Sequence, residues 1–146
     1  MPLTNEIIYE TNDGKEAWIE ARKFLLEQKP LPSLIKHSGL TKAAEDHQGD
    51  LCLNGIFGHQ GSDGSTFSER IMRHCRKGPG AMAEIIGADF DLEGRNTFEM
   101  TILGLIIDDG VKDRGHRKTI YNPNYKYVGF SSGQKDEKLI TVFTLT

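Results

Sequence analysis

The chain has 146 residues, 37% of them hydrophobic and 27% charged, and a formal net charge of −3 with a pI near 5.9. That is enough apolar material for a single domain spanning residues 1–146, and it excludes a disordered chain. The acidic balance argues against a nucleic-acid partner, which recruits a basic face, and no apolar run approaches the roughly 20 residues needed to cross a bilayer.

In chain order, the first residues (Met1 to Glu6) lack a basic stretch followed by an apolar one, so no signal peptide is expected. Ala17, Trp18, Ala21, Phe24 and Leu25 recur at helical spacing and predict a helix over residues 14–28. Pro30 and Pro32 end it and impose an extended passage through Leu31 and Leu34. Leu40, Ala43, Ala44, His47 and Leu51 form the apolar stripe of a second helix over 40–53, closed by Asn54-Gly55. His47 on that stripe reads as a satisfied core histidine. Gly55, Gly58, Gly61 and Gly64 then mark an exposed, sharply turning loop.

Thr66 and Glu69 have the spacing of a capping box, which opens a third helix with Phe67, Ile71 and Cys75 on its apolar side. The basic run from Arg73 to Lys77 reads as a solvated helix end. Lys77-Gly78-Pro79-Gly80 breaks the chain, and Met82 to Ala88 reads as a short strand carrying Glu84. Asn96 and Glu99 are a second cap signature, before a helix whose apolar residues run almost all round it. Such a helix is expected in the centre of the molecule. It ends in Asp108-Asp109-Gly110, where two acids face the negative end of the helix dipole and need either a neighbouring cation or bound metal to compensate them. Asn122-Pro123-Asn124 predicts a turn, Tyr125 to Phe130 a strand, residues 133–137 a hairpin connection, and Leu139 to Leu145 a terminal strand. Helices first and paired strands last imply a sheet covered by helices.

The candidate chemistry lies in two histidines set among glycines and charges, in Gly58-His59-Gln60-Gly61 and Arg114-Gly115-His116-Arg117. Imidazoles placed this way suit metal binding or proton movement near neutral pH. His59 reads as functional because its loop offers no core to serve. Arg114 and Arg117 beside His116 are expected either to keep that imidazole neutral or to bond helix-end carbonyls and leave it incidental. Glu84 interrupts an apolar run and needs a partner, an arginine or one of the histidines. Asp63 and Asp113 read as turn residues. Cys52 and Cys75 make no disulfide framework and read as small buried hydrophobes. There is no phosphate loop, nucleophile elbow or His-Glu-x-x-His helix.

Leu31-Pro32-Ser33-Leu34, Ala43-Ala44 with His47, the run Gly58 to Ser65 with Arg70, and Gly115-His116-Arg117 with Ile120, Asn122-Pro123 and Val128-Gly129 together resemble the CAP (SCP-like) superfamily, in its cysteine-poor branch. The resemblance implies an α/β fold, an α/β/α sandwich whose mostly antiparallel central sheet is covered by helices around a cleft. It implies that two histidines and two acids line that cleft and can hold a divalent metal, commonly zinc. By motif match the histidines are His59 and His116, one acid is Glu84, and the second is Asp108 or Asp109. The family's histidine-tyrosine-threonine-glutamine motif is absent. The resemblance further implies a mostly extracellular module that binds lipid, sterol or a protein partner, with a metal-dependent hydrolase using Glu84 as general base as the alternative.

Overall fold

The computed structural model describes residues 11–76, 80–90 and 98–146. In chain order the elements are α1 (Lys15–Glu27), β1 (Ile35–Lys36), α2 (Ser38–Asn54), α3 (Phe67–His74), β2 (Ala83–Phe90), α4 (Phe98–Ile107), α5 (Gly115–Ile120), β3 (Tyr127–Lys135) and β4 (Lys138–Leu145). The strands form one sheet in the order β1-β3-β4-β2. β4 pairs antiparallel with β2 and β3, and only the two-residue β1 runs parallel to β3. The sheet is therefore mostly antiparallel, as expected.

Period-two alternation along the strands assigns the two faces. Ile86, Ile140 and Val142 pack on Ala44 and Leu51 of α2. Ile85, Phe143 and Leu145 pack the other way, on Leu105 of α4, with Phe98, Ile102 and Ile120 beside them. Helix, sheet, helix is the layering that buries both faces. On the first face α2 lies hard against β3: a Cβ on Gly129 would collide with the backbone of Leu40 and Thr41. The buried Thr144 hydroxyl donates to the Leu40 carbonyl at 2.7 Å, so the α2 start is tied to both neighbouring strands.

Several local expectations shift. His37, unread in the sequence, caps α2, its Nδ1 accepting from the Gly39 and Leu40 amides. α4 is not enclosed: Thr101, Leu105 and Ile107 are buried while Met100 and Leu103 remain exposed, because only one side meets the sheet. On α1, Ala17 and Ala21 are buried against Ile107, but Trp18 and Leu25 are exposed. Small residues allow the close approach, and the larger ones stay at its rim. β3 and β4 run on through Gly133, leaving a two-residue turn at Asp136-Glu137 with Asp136 at φ 52°. Two of the expected signals, the break at Lys77-Gly78-Pro79 and the cap at Asn96, lie outside the described residues.

Candidate functional site

The loop after α2 is stapled down rather than loose. Gly55 takes the left-handed conformation that ends α2. The Asp50 carboxylate accepts from the Ser62 amide at 2.7 Å and from its hydroxyl, and these bonds hold Asp50 below the usual carboxylate range. The Gly61 amide donates to the Ser65 carbonyl at 2.8 Å and closes the turn. Asp63 accepts from the Ser65 amide and from Arg73, and these contacts, with Ser65 the larger, hold its carboxyl far below the ordinary value. Thr66 and Glu69 form the expected capping box at the α3 start.

Arg70 of α3 organises the centre. Its side chain is buried, donating to the carbonyls of Ser65 at 2.9 Å and His59 at 2.7 Å. It also meets both carboxylate oxygens of Glu84, at 3.1 and 2.9 Å. The Glu84 side chain is fully buried on the α2 face of β2, where an unpaired carboxylate would be costly. The sequence asked whether its partner is an arginine or a histidine. It has both, because His59 Nδ1–H donates to Glu84 Oε1 at 2.9 Å. The His59 side chain is 54% exposed, and no described residue engages its Nε2.

His116 is built differently. It lies not in a loop but in the first turn of α5, a helix the sequence reading missed. Asp108 follows α4 with φ 56°, a left-handed conformation that favours glycine. Its Oδ2 accepts from the His116 and Arg117 amides at the start of α5, and its Oδ1 accepts from His116 Nδ1 at 2.7 Å. The positive end of α5 thus compensates the acid left at the negative end of α4. Again no described residue engages Nε2. Of the two alternatives for the second acid, Asp108 is the one that meets a histidine. Asp109 turns away and accepts from the Asn12 and Asp13 amides.

The arginines flanking His116 do not act on its ring. Arg114 bonds Glu20, Asp13 and the carbonyls of Asp108 and Val111. Arg117 bonds Glu20 and the carbonyls of Ile106 and Ile107. The reading in which they satisfy helix-end carbonyls is the one the geometry matches. The guanidinium pair holds Glu20 below its usual range, Arg114 more than Arg117.

The two histidines therefore stand in two carboxylate–histidine pairs on opposite layers of the sandwich, Glu84 on the α2 face and Asp108 at the α4–α5 corner. β2 is an edge strand, and α5 packs against it. Among the described residues no three His, Cys, Asp or Glu side chains are grouped to hold a metal. Two imidazole Nε2 lone pairs are available, each ring oriented through Nδ1 by a carboxylate, as is usual for metal-bound histidine. The acids themselves are engaged by arginine, ring and amide donors, which suits orientation rather than direct ligation. Two surface cavities, one of about 540 Å³ bordered by Leu51, Ile56, Phe57 and Ile140 and one of about 560 Å³ beside Arg73, are lined by none of these four residues.

His47 is the participant the sequence underrated. It is fully buried, donates from Nε2 to the Gly58 carbonyl at 2.8 Å, and lies 3.6 Å from Glu84 Oε1. Its helical stripe signals burial, but nothing local signals a partner eleven residues away.

Comparison with known proteins agrees with this architecture. The chain is similar in structure to an outer surface protein of Borrelia burgdorferi, with 18% identity over 94% of this chain and 97% of that one, and a TM-score of 0.64. It is also similar to an extracellular protein containing an SCP domain from Bacillus anthracis, with 21% identity over 87% of this chain but 36% of that one, and a TM-score of 0.60. At these identities the likeness concerns the fold. No curated protein matches the sequence significantly. No helix among the described residues is long and apolar enough to cross a membrane. The model of the CAP, cysteine-rich secretory protein family matches residues 5–145, nearly the whole chain, and the protein belongs to that family.

Proposed function

We propose that this chain is a non-enzymatic CAP module, extracellular or displayed on a surface, that captures a divalent metal and an apolar ligand. The observation that carries the metal reading is the repeated arrangement at His59 and His116. In both, a held carboxylate takes up Nδ1–H and leaves Nε2 unengaged by described residues. Those two imidazoles would hold the metal, and Glu84 and Asp108 would orient them. Bound there, a metal supplies charge and a link between the two layers. A catalytic zinc requires about three protein ligands and an open position. Two nitrogen donors fall short of that, and Glu84, already bonded to Arg70 and His59, is poorly placed to take a proton from water. Those points favour binding over hydrolysis.

The family's lipid, sterol and protein partners, and the outer-surface and extracellular descriptions of the two structural neighbours, support the rest of the reading. So does the cavity of about 540 Å³, bordered by Ile56 and Phe57, 52% and 61% exposed, on the loop that leads to His59. Calorimetric zinc titration of the wild type against His59→Ala and His116→Ala tests the metal. Binding that either substitution abolishes is expected, and no heat from the wild type would end the metal reading. Fluorescent fatty-acid and sterol binding, weakened by Phe57→Ser, tests the apolar ligand. Peptide or ester hydrolysis that chelator abolishes and zinc restores would overturn the non-enzymatic assignment.

A further inference from the structure

Neither pair accounts for the third imidazole beside Glu84. A buried ring whose only task was to fill space under the loop would be served by leucine or methionine, without leaving a nitrogen unsatisfied. His47 does leave one, since Nδ1 is buried and has no partner. Its other nitrogen faces two acceptors, the Gly58 carbonyl and, farther off, Glu84 Oε1. With acceptors on the Nε2 side and none at Nδ1, Nε2 carries the proton that the Gly58 carbonyl accepts.

The Gly58 carbonyl belongs to the peptide unit preceding the His59 Cα, and the His59 carbonyl to the unit following it. His47 holds the first at 2.8 Å and Arg70 holds the second at 2.7 Å. A residue has only two soft backbone dihedrals, one on either side of its Cα, so these two bonds fix the direction in which the His59 side chain leaves the chain. That restraint matters because glycine precedes His59 and would otherwise allow a wide range of approach. Both restraining side chains also reach toward Glu84, the group the ring must meet.

We propose that His47 is a positioning residue: its Nε2–H bond to the Gly58 carbonyl, paired with the Arg70 bond to the His59 carbonyl, sets the His59 imidazole against Glu84. The effect on metal rests on the function proposed above, while the effect on the ring does not, and the test separates them. In His47→Gln the amide nitrogen reaches the Nε2 position, whereas in His47→Asn it stops at the level of Nδ1.

Long-range ¹H–¹⁵N spectra of histidine-labelled protein report the tautomer of His59. Wild type and His47→Gln are expected to hold the proton on Nδ1, and His47→Asn to give the averaged signal of a free imidazole. Zinc affinity is expected to fall about tenfold in the Asn variant and hold in the Gln variant, the scale typical of losing an orienting contact. If the Asn variant does not fold, His47→Met replaces it with the same expectation. An unchanged His59 signal in the Asn or Met variant, or a lost one in the Gln variant, overturns the positioning role. A wild type that binds no zinc while the Asn variant still loses the tautomer sinks the metal reading and leaves this one standing.

Discussion

The Glu84–His59 and Asp108–His116 pairs reach the same local chemistry by opposite constructions. Glu84 comes from the start of the edge strand β2, its side chain fully buried, and its charge is met by one guanidinium. Asp108 comes from a helix end, and its charge is met by the backbone amides that open the next helix. The first solution concentrates the balance in a single removable side chain. The second spreads it over the main chain, which substitution cannot remove. The two halves should therefore fail differently when disturbed.

The sharpest way to break the comparison is Arg70→Ala. It strands a buried carboxylate and also frees the Ser65 and His59 carbonyls. Breaking a buried pair from one side costs about 3–5 kcal/mol. Denaturant unfolding should show that loss, and the double substitution Arg70→Met with Glu84→Leu should recover much of it, since the penalty belongs to the unpaired charge. A loss below about 1 kcal/mol for Arg70→Ala, the range of an exposed pair, would mean that Glu84 finds water or another cation.

Asp108 should respond more mildly and depend on the replacement. Asp108→Ala removes the acceptor for two amides and a ring while keeping a Cβ at φ 56°, at an expected cost of about 2 kcal/mol. Asp108→Gly loses the same bonds but relieves the left-handed backbone, which returns about 1 kcal/mol. The glycine variant should thus be the more stable by thermal melting, yet both should release the His116 ring equally in its ¹⁵N spectrum. Equal stability of the two would show that the left-handed conformation carries no strain here.

This contrast also explains what could be read from residues alone. The α2 stripe and the Thr66–Glu69 capping box are local patterns, and each forms where its spacing places it, while the closing strands form but run on through the residues whose spacing suggested their connection. Glu84 announced a need for a partner because it interrupts an apolar run. Whether that partner was Arg70 or His59 depended on folding a loop back over a strand, which no spacing encodes. α5 was missed because six residues carry almost no periodic signal, and because its start is capped by Asp108, a side chain seven residues before its first helical residue. The direction of Arg114 and Arg117 was equally hidden. Glu20, the carboxylate that draws both, lies almost a hundred positions earlier in the chain.

The smallest effect expected is the acid response of that remote contact. Glu20 is 49% exposed, so its bonds to Arg114 and Arg117 are worth only about 0.5 kcal/mol as a surface pair. Its folded carboxyl lies below the unfolded value because both guanidinium groups favour the charged form, Arg114 first. A depressed acid stabilises the fold above its unfolded pKa of about 4.3, and that contribution fades as pH falls through the folded value. Asp13 shifts the same way through Arg114 and the Gly110 amide, so the clasp holding residues 12–20 to the α4–α5 corner should weaken below about pH 4. Amide exchange compared at pH 7 and pH 3.5, after correction for intrinsic rates, should show α5 losing protection. Glu20→Gln should bring part of that loss to neutral pH and flatten the dependence. β4, whose Ile140, Val142 and Thr144 side chains are buried and uncharged, should keep its protection at both values. A response that leaves α5 unchanged while β4 opens would reverse the assignment of acid sensitivity to the His116 half.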